Sequence, residues 1–528
     1  MIRIHAENEL AGLALALIGP SATLSPAERD YAIAVRRHPD VALVKATRCS
    51  IAAGDDPLGN FLTRIRTPEV RRSDGATYTP SPIVESMLAW AASEGTPGRV
   101  VDPGAGSGRF LLAAGKRFPK ARLVAVETDP LALLILRANV AVHGMEGRTV
   151  VVAGDFRSFL LPEFDGTTLF VGNPPYVRHH GIEEKWKSWF ADSAASFGVK
   201  ASKLAGLHIH FFLRTMQVAK SGDYGVYITS AEWLDVNYGS VLRRLLADGL
   251  GGTALHVLDP KAMPFEGAIT TGAITCFRVG ERPDALRVRS VKSVGRLGDL
   301  SAGTAVPWDR VEQATRWSTI VRPGPKVPAG YIELGDLFRV HRGQVTGNNE
   351  VWISGPHTRN LPCRFLLPTV TKAREILEAG DALNDDRPLR RVVDLPADLE
   401  GFAPEDLRAI ARFLDWAKKC NADKSYTAEH RRAWWAVGLK APAPIICTYM
   451  ARRPPAFVLN RCKARHINIA HGLYPLEPMP EILLSRLADW LRKNVGVDQG
   501  RTYAGGLTKF EPKEVERIPI PRPENLVA

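Results

Sequence analysis

Through the middle of the chain, short apolar runs alternate with longer stretches whose apolar residues recur at helical spacing. The predicted strands are 99–102, 122–127, 149–153, 168–172 and 225–229. The predicted helices between them include 82–92, 130–143 and 208–219. Strands that alternate with helices at this spacing predict an α/β fold built on a doubly wound, mostly parallel sheet.

The N-terminal residues 1–75 lack this alternation and are predicted to be mostly helical. Ser25 followed by Pro26 has the pattern of a helix start, with a capping hydroxyl and a proline in the first turn. The apolar run 10–18 is too short to cross a bilayer and is predicted to be a core helix. We therefore expect a helical N-terminal segment and no membrane-spanning segment.

After residue 280 the pattern changes again. Residues 281–330 contain several glycines and prolines and are predicted to be a connecting region. Residues 331–528 are predicted to form a C-terminal mixed α+β domain that includes a helix near 480–493. The α/β domain itself is expected to occupy 76–280.

Composition and charge narrow the class of protein. The chain has 528 residues, of which 45% are hydrophobic and 24% charged, which is ordinary globular usage. Lys and Arg number 69 against 56 Asp and Glu, and the formal charge of +13 predicts a polyanionic partner or reflects a generally basic proteome. Six cysteines without a C-x-x-C pair exclude a disulfide framework and a zinc ribbon. We expect a reduced, cytoplasmic protein without a metal site.

Polar residues and glycines follow the first three predicted strands. Glycines permit positive φ and close approach of a ligand to the backbone, and their G-x-G-x-G spacing differs from the dinucleotide pattern. An acid about 20 residues beyond the loop is placed for ribose hydroxyls, and an Asp-Phe pair offers an acceptor and a ring to adenine. Strand ends of a parallel sheet meet, so these residues predict a crevice for a nucleoside without a pyrophosphate. They are Asp102, Pro103, Gly104, Gly106, Gly108, Glu127, Asp155 and Phe156.

The fourth strand is followed by Asn173, Pro174, Pro175 and Tyr176. Two prolines fix φ and supply no amide donors, so their carbonyl groups act as acceptors only. An exocyclic amine can donate one proton to the Asn173 oxygen and one to the Pro174 carbonyl, which directs its lone pair at an electrophile. The Tyr176 ring offers a flat face for a base. This motif therefore predicts chemistry at an amine.

In this order, the motifs resemble those of gamma-class S-adenosylmethionine-dependent DNA methyltransferases, the adenine-N6 methyltransferases of restriction–modification systems. The resemblance covers about 76–280 and implies a Rossmann-like class I methyltransferase fold, S-adenosyl-L-methionine as cofactor, and a target adenine flipped out of duplex DNA. It adds Tyr78, Thr79 and Pro80 to the cofactor site and gives Asn173 to both sites. It also implies that Phe265 stacks on the flipped base, although Pro264 stands where relatives often have an aliphatic residue.

More loosely, the C-terminal domain resembles a DNA target recognition domain, in its segments 334–349 and 503–510. Between them, residues 431–470 contain eight Lys and Arg and no acid. A second basic cluster follows the Asn-Pro-Pro-Tyr motif, where Glu183 and Glu184 are expected only to begin a helix. The predicted DNA-binding residues are Arg178, Lys203, Arg342, Arg431, Arg432, Arg452, Arg453, Arg461, Lys463, Arg465 and Lys509.

The sequence thus predicts a site-specific DNA adenine-N6 methyltransferase that acts as a monomer on double-stranded DNA, with a separate cognate restriction endonuclease acting on the same site. Cytosine-N4 methylation is an alternative, although its relatives more often carry Ser in place of Asn173. A glutamine-amide or ribosomal-RNA amino-methyltransferase is another alternative, although those enzymes are usually shorter and lack the C-terminal domain. A fused restriction nuclease is disfavoured because the 75 N-terminal residues are too few for a nuclease domain. A non-enzymatic DNA-binding subunit is disfavoured because the glycine loop and the Asn-Pro-Pro-Tyr motif are intact.

Overall fold

The computed structural model describes residues 4–19, 23–35, 39–67, 70–71, 75, 78–259, 271–314, 316–321, 327–503 and 507–527. The chain divides into two compact units, Met1–Pro323 and Gly324–Ala528. Each unit has hydrophobic clusters of its own and is described separately below.

The first unit is built on one large sheet, which has nine strands within the described residues. The spatial order is β3-β2-β1-β4-β5-β7-β6-β8-β9. Strands β1 to β5 run parallel to one another, whereas β7 is antiparallel to both β5 and β6. The strands are β1 (Arg99–Pro103), β2 (Arg122–Glu127), β3 (Thr149–Ala153), β4 (Thr168–Gly172), β5 (Tyr224–Ser230), β6 (Gly252–Leu258), β7 (Gly272–Arg278), β8 (Ala285–Val291) and β9 (Thr304–Pro307).

Both faces of this sheet are covered, and alternate residues of a strand feed the two cores. In β4, Leu169 and Val171 belong to one buried cluster and Phe170 to the other. Val100 and Val101 of β1 divide in the same way. Strands buried on both faces read as continuous apolar runs, which is why the sequence marks them clearly. The predicted doubly wound α/β fold is confirmed.

Helices on the two faces follow the strands in chain order. The described helices of this unit are α1 (Glu7–Ile18), α2 (Pro26–Ala34), α3 (Val41–Ala53), α4 (Pro57–Ile65), α5 (Ser81–Glu94), α6 (Arg109–Arg117), α7 (Pro130–Val142), α8 (Glu184–Ser196), α9 (Leu207–Val218), α10 (Ser240–Ala247), α11 (Trp308–Gln313) and α12 (Ser318–Val321). The start predicted at Ser25 is a capping box, because its side chain and that of Glu28 accept from each other's backbone amides.

The N-terminal helices are part of the first unit. Apolar residues of α1, α3 and α4 form one buried cluster with α7, in which Leu10 and Leu62 pack together with Leu134. A fully buried carboxylate on α2, Glu28, accepts two hydrogen bonds from Arg137 of α7, at 2.6 and 3.2 Å. The predicted core helix at 10–18 is confirmed.

The structure differs from the prediction that 281–330 is a connecting region. Strand β8 pairs in parallel with β6, and β9 pairs with β8, so this region extends the sheet. Trp308 and Trp317, which follow β9, are buried in the core of the same unit. The glycines and prolines of this region lie mostly between the strands, and β8 alternates apolar residues with arginines, so the sequence pattern alone indicates a loop.

The second unit is a mixed α+β fold, as expected. Its largest described sheet has five strands in the order β11-β19-β15-β17-β13. Its strands are β10 (Tyr331–Glu333), β11 (Phe338–Arg342), β12 (Leu366–Val370), β13 (Ala382–Leu383), β14 (Arg391–Val393), β15 (Ile445–Thr448), β16 (Met450–Ala451), β17 (Phe457–Asn460), β18 (Arg465–His466), β19 (Ala470–Pro475), β20 (Arg501–Tyr503), β21 (Leu507–Lys509) and β22 (Pro519–Pro521). Its helices are α13 (Asn349–Trp352), α14 (Ala373–Glu378), α15 (Pro404–Lys419), α16 (Tyr426–Glu429), α17 (Glu481–Asn494), α18 (Pro512–Glu516) and α19 (Pro523–Val527).

Across the described residues of both units, no helix combines the length and the apolar character needed to cross a membrane.

Candidate active site

A cavity of about 510 Å³, here called the strand-end cavity, opens at the carboxyl ends of β1 to β4. Its volume lies in the range of small-molecule sites, roughly 300–1,000 Å³. Nine predicted site residues line it: Tyr78, Thr79, Gly104, Gly106, Glu127, Asp155, Phe156, Asn173 and Pro175. The structure therefore brings together motifs that are almost 100 residues apart in sequence.

The glycine loop that follows β1 forms the floor of this cavity. Gly104 and Gly106 have φ angles of 80° and 56°, in the left-handed region that favours glycine. The Gly104 amide donates to the carbonyl of Val126 on β2 at 2.7 Å, which ties the loop to the sheet. Gly108 does not line the cavity, and a Cβ there would lie 2.5 Å from Leu136 of α7. It serves helix packing at the start of α6.

Glu127 at the end of β2 is held by backbone amides. Its carboxylate accepts from Gly106 at 2.8 Å, from Thr128 at 2.7 Å and from Asp129 at 3.0 Å. Desolvation raises the pKa of Glu127 above its usual value, while the three amides act in the opposite direction. Glu127 thus links the glycine loop to the start of α7 and also lines the cavity.

Asp102 and Pro103 lie in β1, below the cavity rather than on its wall. The Asp102 side chain is 1% exposed and accepts a hydrogen bond from the Leu111 amide of α6 at 3.1 Å. Burial raises the pKa of Asp102 to about 8. A Cβ on Gly172 would lie 2.8 Å from its Oδ1, so Asp102 packs closely against the end of β4. These contacts give Asp102 a positioning role for the strand ends.

The Asp-Phe pair after β3 has partners within the protein. Asp155 accepts hydrogen bonds from the Arg157 guanidinium on both oxygens, the shortest at 2.5 Å. The Arg157 guanidinium in turn lies 4.1 Å from the centre of the Trp186 ring. Phe156 is 2% exposed and packs against Phe211 with ring centres 5.4 Å apart. Sequence reasoning missed Arg157, which the tertiary contacts alone reveal.

The Asn-Pro-Pro-Tyr motif begins where β4 ends. Asn173 Nδ2 donates to the Thr79 hydroxyl at 3.1 Å, so the two predicted site segments are in contact. The Tyr176 amide donates to Gly75 at 3.1 Å, and its hydroxyl donates to the Ile228 carbonyl of β5 at 3.4 Å. His208 lies edge-on to the Tyr176 ring, and burial lowers the pKa of His208 to about 4. Pro174 is buried, whereas Pro175 lines the cavity.

The N-terminal helices supply a wall that the sequence did not predict. Tyr31, Leu62, Arg66 and Arg71 all line the strand-end cavity. Arg66 is ion-paired with Asp129, the residue that caps α7, and with Glu7 at 2.8 Å.

A second link joins these helices to the glycine loop. Asp56, the cap of α4, accepts from the Ser107 hydroxyl at 2.6 Å and from Arg109 Nε at 2.8 Å. Arg109 also stacks on Tyr78 at 5.0 Å and donates to the Thr79 carbonyl at 3.3 Å. The Asp-Pro sequence signals only the cap, since its other partners lie more than 50 residues away in sequence.

Two further predicted site positions are not among the described residues that line the cavity. Phe265 lies outside the described residues. Pro80 is half-buried and precedes α5 as its cap without lining the cavity.

The basic cluster after the Asn-Pro-Pro-Tyr motif is partly neutralised. Lys203 pairs with Glu184 at 2.5 Å, and Lys185 pairs with Glu183 at 2.8 Å. The two glutamates do begin α8, as expected, but they also reduce the local positive charge. Arg178 is exposed.

In the second unit, several predicted DNA-binding residues have partners within the fold. Arg431 is half-buried and donates to the carbonyls of Val345 and Thr346 at 2.8 and 3.0 Å. Burial lowers the pKa of Arg431. The others with a partner are Arg461 with Glu481 at 3.0 Å, Lys509 with Glu511, Arg465 with the Lys440 carbonyl, and Arg342 with the Tyr449 ring.

Four of the predicted residues of the second unit are exposed and have no ion pair, side-chain hydrogen bond or ring contact among the described residues: Arg432, Arg452, Arg453 and Lys463.

Known families match along much of the chain. Residues 328–528 match the Type II methyltransferase M.Eco57I C-terminal domain, residues 159–258 match the Eco57I restriction-modification methylase, and residues 85–204 match the methyltransferase small domain. Among solved structures, the type IIL restriction-modification enzyme MmeI in complex with DNA has a TM-score of 0.51 at 13% identity, over 91% of this chain and 75% of that chain, which is a likeness of fold. The strand order and the strand-end cavity define a class I methyltransferase.

The similarity to one curated relative extends over the whole chain. Type II methyltransferase M.XamI of Xanthomonas campestris pv. amaranthicola is 55% identical over 534 residues, which covers 99% of this chain and 100% of that protein. The chain belongs to this family of type II restriction–modification methyltransferases. A release factor glutamine methyltransferase of Mycolicibacterium smegmatis is 40% identical over 104 residues, but this covers 19% of this chain and 36% of that protein.

Proposed function

We propose that the chain transfers a methyl group from S-adenosyl-L-methionine to the N6 amine of a flipped-out adenine in duplex DNA, as the modification enzyme of a restriction–modification system. The observation that carries this proposal is the contact between Asn173, which follows β4, and Thr79 on the wall of the strand-end cavity. It sets an amine-orienting motif beside a site shaped for a nucleoside.

The residues of the cavity fit this cofactor. The glycine loop leaves room for a ligand over Gly106, where a Cβ would meet nothing within 4 Å. Glu127 offers carboxylate oxygens to ribose hydroxyls, and Asp155 with Phe156 forms the wall at which we place the adenine. The cofactor supplies an electrophilic methyl group on its sulfonium, and the protein supplies position and charge.

The roles of the catalytic motif follow from hydrogen-bond chemistry. The side-chain oxygen of Asn173 and the Pro174 carbonyl accept the two protons of the target amine, which keeps its lone pair out of conjugation with the ring. This contribution is one of orientation and electrostatics. Flipping the base costs a few kcal/mol, and stacking on Tyr176, and on Phe265 as the resemblance implies, returns about 1–3 kcal/mol per face.

For the duplex we propose a basic surface on the second unit. The exposed residues Arg432, Arg452, Arg453 and Lys463 are placed to contact phosphates, because acids on the described part of the protein do not neutralise them. Arg431 belongs to the fold of that unit, since its two terminal guanidinium nitrogens donate to the carbonyl groups of Trp434, Val345 and Thr346. We further propose that the enzyme acts as a monomer and that a separate endonuclease cleaves the same site.

Adenine is favoured over cytosine because Asn173 stands where cytosine-N4 relatives more often carry Ser. A glutamine-amide substrate is disfavoured because the likeness to the release factor enzyme covers only 19% of the chain.

The test is to incubate the purified protein with plasmid DNA and tritiated S-adenosyl-L-methionine, and then to map modified bases by single-molecule sequencing. We expect N6-methyladenine at one sequence motif. Asn173→Ala should keep cofactor binding and lose transfer, whereas Asn494→Ala, an exposed asparagine of α17, should transfer normally. Label in RNA or protein but not in DNA, N4-methylcytosine as the product, or near-normal transfer by Asn173→Ala, would each contradict the proposal.

A further inference from the structure

Four arginines line the strand-end cavity: Arg66, Arg71, Arg109 and Arg157. Three of them are already paired with carboxylates. Arg66 pairs with Asp129 and Glu7, Arg109 with Asp56 at 2.8 Å, and Arg157 with Asp155 at 2.5 Å. These pairs hold the wall of the cavity together, so their guanidinium groups are not available as the main anchor of a further anion.

Arg71 differs from the other three. It is half-buried, and among the described residues no carboxylate lies within ion-pair distance of it. Its Nε atom is shielded from solvent and has no hydrogen-bond partner within the described residues. A donor that is shielded from solvent and lacks an acceptor is unfavourable, so the site favours an incoming acceptor.

The position of this segment along the cavity indicates which part of a ligand reaches it. Asp155 follows β3 at the edge of the sheet, whereas Asn173 follows β4, three positions further along the strand order. Gly75 lines the cavity and accepts the hydrogen bond of the Tyr176 amide, so it lies at the Asn-Pro-Pro-Tyr end and not at the adenine end. Arg71 lines the same cavity and is four residues before Gly75 in the chain, which limits the distance between them to about 14 Å.

From these observations we propose that Arg71 binds the α-carboxylate of the methionine part of S-adenosyl-L-methionine. The inference rests on the proposed function and deepens it. The carboxylate is the one anionic group of this cofactor, whose sulfonium and ammonium groups are cationic. A guanidinium matches a carboxylate with two parallel N–H donors, which gives strength and geometric selectivity.

The experiment compares two ligands that differ only in that group, S-adenosyl-L-methionine and its decarboxylated form. Their dissociation constants are measured by calorimetry for the wild type and for Arg71→Gln. We expect R71Q to weaken binding of S-adenosyl-L-methionine by about 10- to 100-fold, the size of a charge-assisted interaction, and to leave binding of the decarboxylated form unchanged. The wild-type preference for the carboxylated ligand should then disappear.

A control and a second variant complete the design. Arg64→Gln, on the exposed side of α4, removes the same charge away from the cavity and should bind both ligands as the wild type does. Arg71→Lys keeps the positive charge but replaces the guanidinium with a single ammonium group, so it should retain part of the preference for S-adenosyl-L-methionine over its decarboxylated form. It replaces R71Q in the comparison if circular dichroism shows that R71Q does not fold.

The outcomes separate this inference from the proposed function. Wild-type affinity of R71Q for S-adenosyl-L-methionine, or equal losses for both ligands, would overturn the role of Arg71 and leave the methyltransferase proposal intact. A wild-type protein that binds neither ligand would overturn the proposed function, and this inference with it.

Discussion

Replacing Asp56 with alanine should destabilise the first unit and loosen the strand-end cavity together. Asp56 is one residue with three tasks, and all of them depend on its carboxylate. Oδ1 caps α4 through the Gly59 amide at 2.9 Å, while Oδ2 accepts from Ser107 of the glycine loop and from Arg109. The substitution therefore removes a helix cap and two contacts of the loop at once.

The size of the effect follows from these contacts. The loss of an aspartate cap costs about 0.5–2 kcal/mol, and each hydrogen bond to a charged group contributes about 1.5–3 kcal/mol. The Asp56 side chain is 16% exposed and that of Arg109 is 24% exposed, so solvent screens the pair only in part. The substitution also removes the desolvation cost of burying the aspartate, so we expect the free energy of unfolding of Asp56→Ala to be lower by about 2–4 kcal/mol. Asp56→Asn keeps the capping oxygen and should lose about 1–2 kcal/mol.

The assay combines urea unfolding with native-state hydrogen exchange, and the matched control is Asp55→Asn. Asp55 is the exposed neighbour, whose carboxylate accepts only from the Ser50 hydroxyl at 2.8 Å within the described contacts. We expect faster exchange of the amides of 104–111 and weaker binding of S-adenosylhomocysteine in Asp56→Ala, and neither change in the control. If Asp56→Ala unfolds and exchanges as Asp55→Asn does, the N-terminal helices do not hold the glycine loop.

Three further predictions concern other parts of the protein. The pKa of Asp102 is about 8 in the folded state, so between about pH 4 and pH 8 the folded protein keeps a proton that the unfolded chain releases. The stability of the wild type relative to Asp102→Asn should therefore fall as pH rises, by roughly 1 kcal/mol per pH unit. A stability difference in urea unfolding that does not change with pH would contradict this. Replacing Arg452 and Arg453 with glutamine should reduce the slope of log affinity for duplex DNA against log salt concentration, measured by fluorescence anisotropy, by about 0.9 per lost phosphate contact. The control Arg374→Gln, which removes an ion-paired arginine, should leave this slope unchanged. An unchanged slope in the double variant would mean that the duplex does not contact these two residues. Tyr176→Ala should reduce methyl transfer by about 10- to 100-fold and duplex binding far less, and equal losses in both assays would argue against stacking.

The local pattern of apolar and polar residues was enough to predict the central strands of the first unit. The bounds of β2, β3 and β4 agree with the predicted ones, β1 is one residue longer at one end, and β5 is one residue longer at each end. Strands β1, β2, β4 and β5 are largely buried, so their apolar runs are continuous, whereas the edge strand β3 is marked by its run of valines although its residues are partly exposed. The same pattern failed in 281–330, because Arg287 and Arg289 alternate with the apolar residues of β8, and because β9 is a mostly exposed edge strand of four residues.

The candidate site was predictable to the extent that its residues are neighbours of strand ends. Glu127 and Asn173 were found because parallel strands bring their carboxyl ends to one edge, whatever the loops do. Asp56 was not found because Ser107 and Arg109, its partners in the site, lie more than 50 residues away in sequence. Arg157 is only two residues from its partner Asp155, but its place between that carboxylate and the Trp186 ring is set by the fold. The same limit applies to basic residues: Arg431 and Arg432 are adjacent in the sequence, yet one is bound to carbonyl groups of the fold and the other is exposed.

The sequence by itself determined the doubly wound sheet, the order of the motifs along it and the amine chemistry that they indicate, because these depend on periodicity and on residue type. Only the tertiary structure decided that the N-terminal helices form a wall of the strand-end cavity, and which arginines there are already neutralised. Those outcomes depend on ion pairs between distant segments, such as Arg66 with Asp129, 63 residues apart. The physical reason is that a hydrogen bond or an ion pair depends on distance in space, which the chain sets only when it has folded.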